Sequence, residues 1–209
     1  MLILASASPR RKELLTQAGY AFEVVASAIA EDHVAGEDPI AFAIRLAREK
    51  AQAVFTQQAA DVIVLGADTI VVVDNEILGK PGDAADAARM LRLLSGRSHQ
   101  VITGVSVVSR AAVEVAAEVT TVAFLTLSDA EIDAYVATGE PMDKAGAYGI
   151  QGYAARWIPR VHGCYFNVVG LPLALVASLI EGTRTRLQPG AKISNAATSK
   201  AATVDVVAK

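Results

Sequence analysis

One apolar run in the first third of the chain constrains the fold more than any other feature. Residues 62–67 are continuously apolar, Asp68 and Thr69 interrupt the run, and residues 70–73 resume it. Short apolar runs rich in Val and Ile are typical of strands buried in a sheet. We therefore expect two buried strand segments that bracket a single acidic residue, Asp68, at the end of the first segment.

Strand-like and helix-like segments alternate around this run. In chain order, we expect strands at 2–5 and 22–26, helices starting at Ser8-Pro9, Asp38-Pro39 and Asp83, strands at 100–109 and 113–127, a helix capped by Ser128 with Glu131, and a last helix at 173–180. Strands and helices alternate first, and the strands cluster later. This order predicts an α/β fold with a mixed sheet and flanking helices.

The length of 209 residues suits one compact domain, which can carry two lobes. We place this domain at residues 1–182. From about Thr183 onward hydrophobic periodicity is low and Ala, Ser, Thr and Lys are frequent. We expect residues 183–209 to form a flexible tail.

Composition excludes several classes of protein. The chain is 53% hydrophobic, which rules out global disorder, and its net charge of −3 gives no general attraction to nucleic acid or an anionic membrane. Cys164 is the only cysteine, so an intrachain disulfide cannot form. The first residues do not follow the order of a signal peptide, and no apolar run is long enough to span a membrane. We expect a cytoplasmic protein and leave a homodimer open.

The turn Ser8-Pro9-Arg10-Arg11 is a candidate anion site. Ser8 suits a helix N-cap, and a helix N-terminus offers unpaired N–H groups and a partial positive charge. Arg10 and Arg11 add guanidinium groups that match phosphate oxygens. The alternative is a capped helix with two solvated arginines, and this segment alone favours neither interpretation.

Asp68 is a candidate catalytic carboxylate. An acidic residue at the carboxyl end of a strand can activate water or hold a metal ion. Taken alone, a capping or turn aspartate is the better interpretation.

Two lysines and a glycine-rich segment are further candidates. Lys80 lies in a turn whose spacing does not match a P-loop, and Lys50 lies beside the apolar stripe of its helix. Either could be an ordinary surface lysine. The segment 143–152 contains three glycines, and Gln151 within it could hydrogen-bond a nucleobase edge. His33, His99 and His162 show no paired metal-ligand spacing.

Together, six segments closely resemble the Maf family of nucleotide pyrophosphatases. They are residues 6–11, 66–69, 79–81, 95–104, 143–152 and 167–172. Several motifs in one order are more specific than any single motif. The resemblance extends from residue 2 to about residue 173 and implies two lobes around a central cleft, as in inosine triphosphatase-like proteins.

The resemblance also implies an activity and a set of site residues. The activity is hydrolysis of dTTP and UTP, or of modified pyrimidine nucleotides, to the monophosphate and diphosphate. Such an enzyme removes non-standard pyrimidine nucleotides from the nucleotide pool. The implied assignments are catalysis by Asp68, metal binding by Glu31 and Asp68, phosphate binding by Ser8, Arg10, Arg11, Lys50 and Lys80, and substrate specificity through Arg10, Thr69 and Gln151. The implied cofactor is a divalent cation, Mg²⁺ or Mn²⁺. Ala30 replaces an acidic residue that this family often has before the glutamate.

Two other functions stay open. The first is a pyrophosphatase of the same fold that acts on purine nucleotides or 7-methyl-GTP. The second, from a different class, is a nucleotide-binding regulator of septum formation. In either case the partner would be a small nucleotide rather than nucleic acid or membrane.

Overall fold

The computed structural model describes residues 1–32, 36–58 and 61–188. The described strands are β1 Leu2–Leu4, β2 Glu23–Val24, β3 Ile63–Val73, β4 Glu76–Leu78, β5 Ser98–Val108, β6 Val113–Ala123 and β7 Arg160–His162. The described α-helices are α1 Pro9–Gln17, α2 Pro39–Phe55, α3 Ala84–Leu94, α4 Asp129–Ala137, α5 Tyr165–Val169 and α6 Leu173–Leu187. Three short 3-10 helices, Glu140–Asp143, Ala145–Ala147 and Tyr153–Trp157, lie between α4 and β7.

The strands form one mixed sheet with the order β2-β1-β3-β5-β6-β7, and β4 pairs with part of β3. The pairs β2-β1 and β1-β3 are parallel, whereas the pairs from β3 to β7 are antiparallel. Helices connect the early strands, while β5 and β6 follow each other directly. The α/β fold with a mixed sheet and flanking helices is thus confirmed.

The strand that contains Asp68 differs from the expectation. The two segments expected on either side of Asp68 are one strand, β3, which pairs with β5 in an unbroken register from Val64 to Val72. Asp68 therefore lies in the middle of a strand, opposite Gly104, and not at a strand end. The expectation was wrong because a polar side chain does not break a ladder whose backbone groups are all paired.

Helix α2 packs directly against the centre of the sheet. A Cβ atom on Gly104 of β5 would overlap the Ala43 carbonyl oxygen and lie 2.6 Å from the Ile44 nitrogen. On β3, a Cβ atom on Gly66 would lie 2.8 Å from the Ala51 nitrogen. Glycine at both positions lets the helix backbone approach the sheet closely. This close approach brings the C-terminal half of α2 next to the middle of β3.

Two apolar clusters stand on the two sides of a cleft. One cluster joins α3 and α4 to the second half of β3, and the other joins β1, α1 and α6 to the first half. Each cluster has its own buried side chains, such as Leu91 and Tyr135 in the first and Leu15 and Leu171 in the second. The division of the domain into two lobes stays a prediction.

Several element ends differ from the expected ones. Strand β2 is shorter than residues 22–26, and β6 ends at Ala123 rather than near residue 127. Ser8, Asp83 and Ser128 act as N-caps, as predicted, and Ser128 forms a capping box with Glu131. Helix α2 begins at the predicted place, where Asp38 is its N-cap.

Helix α6 continues to Leu187, so the tail does not begin at Thr183. Thr183 is fully buried and donates a hydrogen bond to the Leu179 carbonyl oxygen, which local hydrophobicity did not reveal. Residues 189–209 of the expected tail lie outside the described residues. Within the described ranges, no helix has the length and apolarity that crossing a membrane requires.

Candidate active site

The cleft between the two apolar clusters has a volume of about 860 Å³. It is lined by the α1 N-terminus, the middle of β3, α2 and the segment between α4 and β7. Every residue that the sequence proposed for the site lines this cleft: Ser8, Arg10, Arg11, Glu31, Lys50, Asp68, Thr69, Lys80 and Gln151. Tertiary structure thus brings together side chains that are far apart in sequence.

At the floor of the cleft, Lys50 is bound by two carboxylates. Its Nζ lies 2.6 Å from Asp68 Oδ1 and 2.6 Å from Glu31 Oε1. Asp68 is only 6% exposed and Lys50 8% exposed, because α2 covers this part of β3. Burial alone would raise the pKa of Glu31, but the hydrogen bond and charge of Lys50 outweigh it, so this pKa lies below its usual value. Lys50 therefore holds the carboxyl groups of Glu31 and Asp68 close together.

All three nitrogen atoms of the Arg11 guanidinium group donate hydrogen bonds within the protein. Its Nε donates to the Gly170 carbonyl oxygen at 2.8 Å, Nη2 to Thr69 Oγ1 at 2.9 Å and Nη1 to Ser6 Oγ at 3.4 Å. Burial is the main reason why the pKa of Arg11 is lowered. These bonds fix Thr69 and the Gly170 turn relative to α1. The assignment of Arg11 to phosphate binding stays a prediction.

Arg10 connects the two sides of the cleft. Its Nη1 lies 2.9 Å from Asp143 Oδ2, and its Nη2 donates to the Asp143 carbonyl oxygen at 3.4 Å. Lys144 also binds Asp143, with Nζ 2.6 Å from Oδ1. These contacts hold the α1 N-terminus next to the start of the 143–152 segment.

Lys80 has a different environment from Lys50. The ion pairs within the described part of the chain do not include Lys80, although its charge contributes to lowering the pKa of Glu31. The backbone at Lys80 is held by the neighbouring Gly79, whose carbonyl oxygen accepts a 3.0 Å hydrogen bond from Gly146 N–H. Gly146 has a φ of +67°, and a Cβ there would press on Val71. Lys80 thus lies on a fixed turn, near enough to Glu31 for its charge to act on that carboxylate.

The segment 143–152 closes the other end of the cleft. Tyr148 is buried, and its hydroxyl group lies 2.7 Å from His99 Nε2. Gln151 is exposed at the cleft, and its side chain forms no hydrogen bond with the described residues. Its amide is thus available to a ligand.

A hydrogen-bonded chain beneath the site was not anticipated. Thr69 Oγ1 lies 2.9 Å from Thr103 Oγ1, and Thr103 donates to the Asn167 carbonyl oxygen at 3.2 Å. Asn167 Nδ2 donates to Thr120 Oγ1 and to the Val101 carbonyl oxygen, both at 2.9 Å. Thr103 and Asn167 belong to two of the segments that carry the family resemblance. The sequence therefore marked both residues, but it did not indicate what they do.

The family model described as Maf-like protein matches residues 1–183. This match covers most of the chain and includes every residue of the cleft named above. The chain belongs to the Maf family.

Curated members of the Maf family are similar to this chain over most of their length. The dTTP/UTP pyrophosphatase of Geobacter sulfurreducens is 58% identical over 177 residues, 84% of this chain and 92% of that protein. The dTTP/UTP pyrophosphatase of Koribacter versatilis is 56% identical over 175 residues, 84% and 90% of the two chains.

A solved structure, the nucleoside-triphosphatase or dITP/XTP pyrophosphatase of Mycobacterium abscessus, covers 90% of this chain and 97% of its own. It has 14% sequence identity and a TM-score of 0.42, and at that score it adds nothing to the fold assignment.

Within the described ranges, no group of three or more His, Cys, Asp or Glu side chains converges in a way that could hold a metal ion. His99 is occupied by Tyr148, and His33 lies outside the described residues. The assignment of Glu31 and Asp68 to metal binding stays a prediction.

Proposed function

We propose that this chain hydrolyses dTTP and UTP to the monophosphate and diphosphate. The observation that carries the proposal is the convergence of two carboxylates with Arg10, Lys50 and Lys80 in one cleft, opposite an exposed Gln151. Relatives that are more than half identical over most of both chains are named dTTP/UTP pyrophosphatase.

The basic side chains supply the phosphate end of the site. A nucleoside triphosphate carries several negative charges, which cationic groups offset strongly in a partly desolvated cleft. Lys80 has no ion-pair partner among the described residues, and Arg10 lies at the cleft wall on the α1 N-terminus. The first N–H groups of α1 add hydrogen-bond donors that suit a phosphate oxygen. The phosphates would therefore lie between α1 and the Lys80 turn.

Asp68 is the proposed general base. Its carboxylate is held in place by Lys50 and by the paired backbone of β3. It would accept a proton from a water molecule whose oxygen forms a bond to the α-phosphorus. The bond between that phosphorus and the bridging oxygen then breaks, and diphosphate leaves with the electron pair. The sum is water plus triphosphate giving monophosphate and diphosphate.

The donor set of Glu31 and Asp68 fits a divalent cation. Mg²⁺ is usually bound in proteins by one or two carboxylates, with waters and substrate phosphate oxygens as its other ligands. The buried Asp68 carboxylate and the 47% exposed Glu31 carboxylate already share one cation, the Lys50 ammonium, and so meet this description. When bound, Mg²⁺ or Mn²⁺ would offset charge on the phosphates and on the leaving diphosphate.

The proposed readers of the base are Thr69, Gln151 and Arg10, and Arg10 would also contact the phosphates. The Gln151 amide can donate and accept at once, as one edge of uracil or thymine requires. Thr69 is fixed by Arg11 and Thr103, so its position is defined before a ligand arrives.

A nucleotide panel with an Asp68→Asn variant tests the proposal. Diphosphate release is measured for dTTP, UTP, CTP, dATP and GTP with Mg²⁺. We expect a preference for dTTP and UTP and a loss of roughly 10²–10⁴-fold in kcat for Asp68→Asn, with nucleotide binding retained. Asp129→Asn, an exposed aspartate that pairs with Arg92, is the matched control and should keep parent activity.

Two results would contradict the proposal. A preference for purine nucleotides would assign the chain to the alternative specificity. Parent-level turnover by Asp68→Asn would remove Asp68 from the reaction. If that variant lost turnover but kept every cellular effect, a regulatory role in septum formation would explain the chain better.

A further inference from the structure

Tyr135 and Glu140 hold the backbone on both sides of Gln151. Tyr135 lies on the last turn of α4 and is fully buried, whereas Glu140 begins the first 3-10 helix and lines the cleft. Neither residue belongs to the set of phosphate, metal or base contacts proposed above. Both contact the segment 149–153, which carries Gln151.

Two hydrogen bonds connect these two residues to that segment, and a third joins the two residues to each other. The Tyr135 hydroxyl group accepts from Gly149 N–H at 3.3 Å and donates to Glu140 Oε1 at 3.0 Å. Glu140 Oε2 accepts from Tyr153 N–H at 3.3 Å. Burial, with the hydrogen bond to Glu140, raises the pKa of Tyr135, so its hydroxyl group keeps the proton that it donates. The two anchored amides lie two residues before and two residues after Gln151.

The packing of the segment fits this role. A Cβ atom on Gly152 would overlap Glu140 Oε1 and lie 2.6 Å from Glu140 Cδ. The Tyr153 ring stacks on the Tyr135 ring with centroids 5.6 Å apart. Glycine at position 152 thus lets the backbone next to Gln151 lie directly on the Glu140 carboxylate.

Glu140 is not placed to act as a second base. Both of its carboxylate oxygens accept hydrogen bonds from the protein, one from Tyr135 and one from Tyr153. Its main-chain oxygen accepts from Lys144 Nζ at 2.6 Å, which ties it to the residue that also binds Asp143. Glu140 is therefore part of the support of the 143–152 segment.

We propose that Tyr135 and Glu140 are positioning residues for Gln151. Through Gln151 they set the preference for pyrimidine over purine nucleotides. The inference rests on the proposed function. An amide side chain reads a base edge only if its backbone is held within a fraction of an ångström, and two anchored amides on either side of it provide this. Thus Tyr135 and Glu140 determine specificity without contacting the substrate.

The test removes one oxygen atom with Tyr135→Phe, which keeps the ring and its stacking. Tyr165→Phe, on an exposed tyrosine of α5 away from the cleft, is the matched control. Steady-state rates for dTTP, UTP, CTP, dATP and GTP give the selectivity ratios. Native-state amide hydrogen exchange by NMR reports the Gly149 and Tyr153 amides directly, without reference to activity.

For Tyr135→Phe we expect kcat/KM for dTTP to fall roughly three- to tenfold, mainly through KM, while the rates for poor substrates change little. The ratio of dTTP to dATP then falls by the same factor, and the Gly149 amide exchanges faster. Tyr165→Phe should match the parent in every measurement. Glu140→Gln retains an acceptor for Tyr135 and should lose less selectivity than Glu140→Ala.

Unchanged selectivity and unchanged exchange at Gly149 in a folded Tyr135→Phe variant would overturn the inference. An equal loss for all nucleotides would overturn it as well, since that result indicates a general structural role. If Tyr135→Phe fails to fold, the comparison of Glu140→Gln with Glu140→Ala decides by the same criteria. A parent enzyme that prefers purines or releases no diphosphate contradicts the proposed function instead, so the two failures are distinguishable.

Discussion

A buried histidine makes the stability of this protein depend on pH in a defined direction. His99 on β5 is 2% exposed, and its ring packs edge-on against Phe124 and Tyr148. Burial lowers the pKa of His99 from 6.5 to about 4. Below pH 6.5 the unfolded chain therefore binds a proton that the folded protein does not bind until about pH 4.

The loss of stability follows from these two pKa values. As pH falls from 7 to 4, this group alone should reduce the free energy of unfolding by about 3 kcal/mol, since one pKa unit corresponds to about 1.4 kcal/mol. Below the folded-state pKa the contribution levels off. Such a loss is a sizeable part of the total stability of a typical domain.

The variant His99→Gln tests this reasoning. Glutamine does not titrate and can still hydrogen-bond the Tyr148 hydroxyl group. Urea unfolding, followed by Trp157 fluorescence, gives the free energy of unfolding of parent and variant at several pH values between about 7 and 4. We expect the parent to lose about 3 kcal/mol more than the variant over this range. Carboxylates contribute equally to the pH dependence of both proteins, so only His99 can make the two curves diverge. Free energies of unfolding that fall in parallel with pH in parent and variant would therefore refute the argument.

Two further predictions concern the packing of α2 and the role of Arg11. Gly104→Ala should cost about 1–3 kcal/mol in urea unfolding and lower kcat, because its Cβ pushes α2 and Lys50 away from Asp68. Gly182→Ala, where a Cβ meets open space, should not destabilise. Arg11→Lys should lower kcat/KM roughly tenfold or more, since lysine cannot bind Thr69 and Gly170 together. Lys12→Arg, an exposed neighbour, is its control, and equal rates in both variants would contradict the role of Arg11.

Features that depend on residues adjacent in the sequence could be predicted from the sequence alone. Ser8, Asp38 and Ser128 cap helices at the predicted positions, because a cap needs only a side-chain oxygen and the next few backbone N–H groups. The apolar run around Asp68 predicted burial correctly. The motif order identified the family, and with it the residues that line the cleft.

Features that depend on contacts between residues distant in the sequence were determined by the tertiary structure. β3 continues through Asp68 because β5 pairs with it from Val64 to Val72. The Lys50 ammonium meets Glu31 and Asp68 because Gly66 and Gly104 let α2 lie close to the sheet. Asp68 could be recognised from sequence as an acid in an apolar run, but its counter-ion could not. Local patterns determine which segments are buried, whereas the pairing of buried charges depends on which elements the fold packs together.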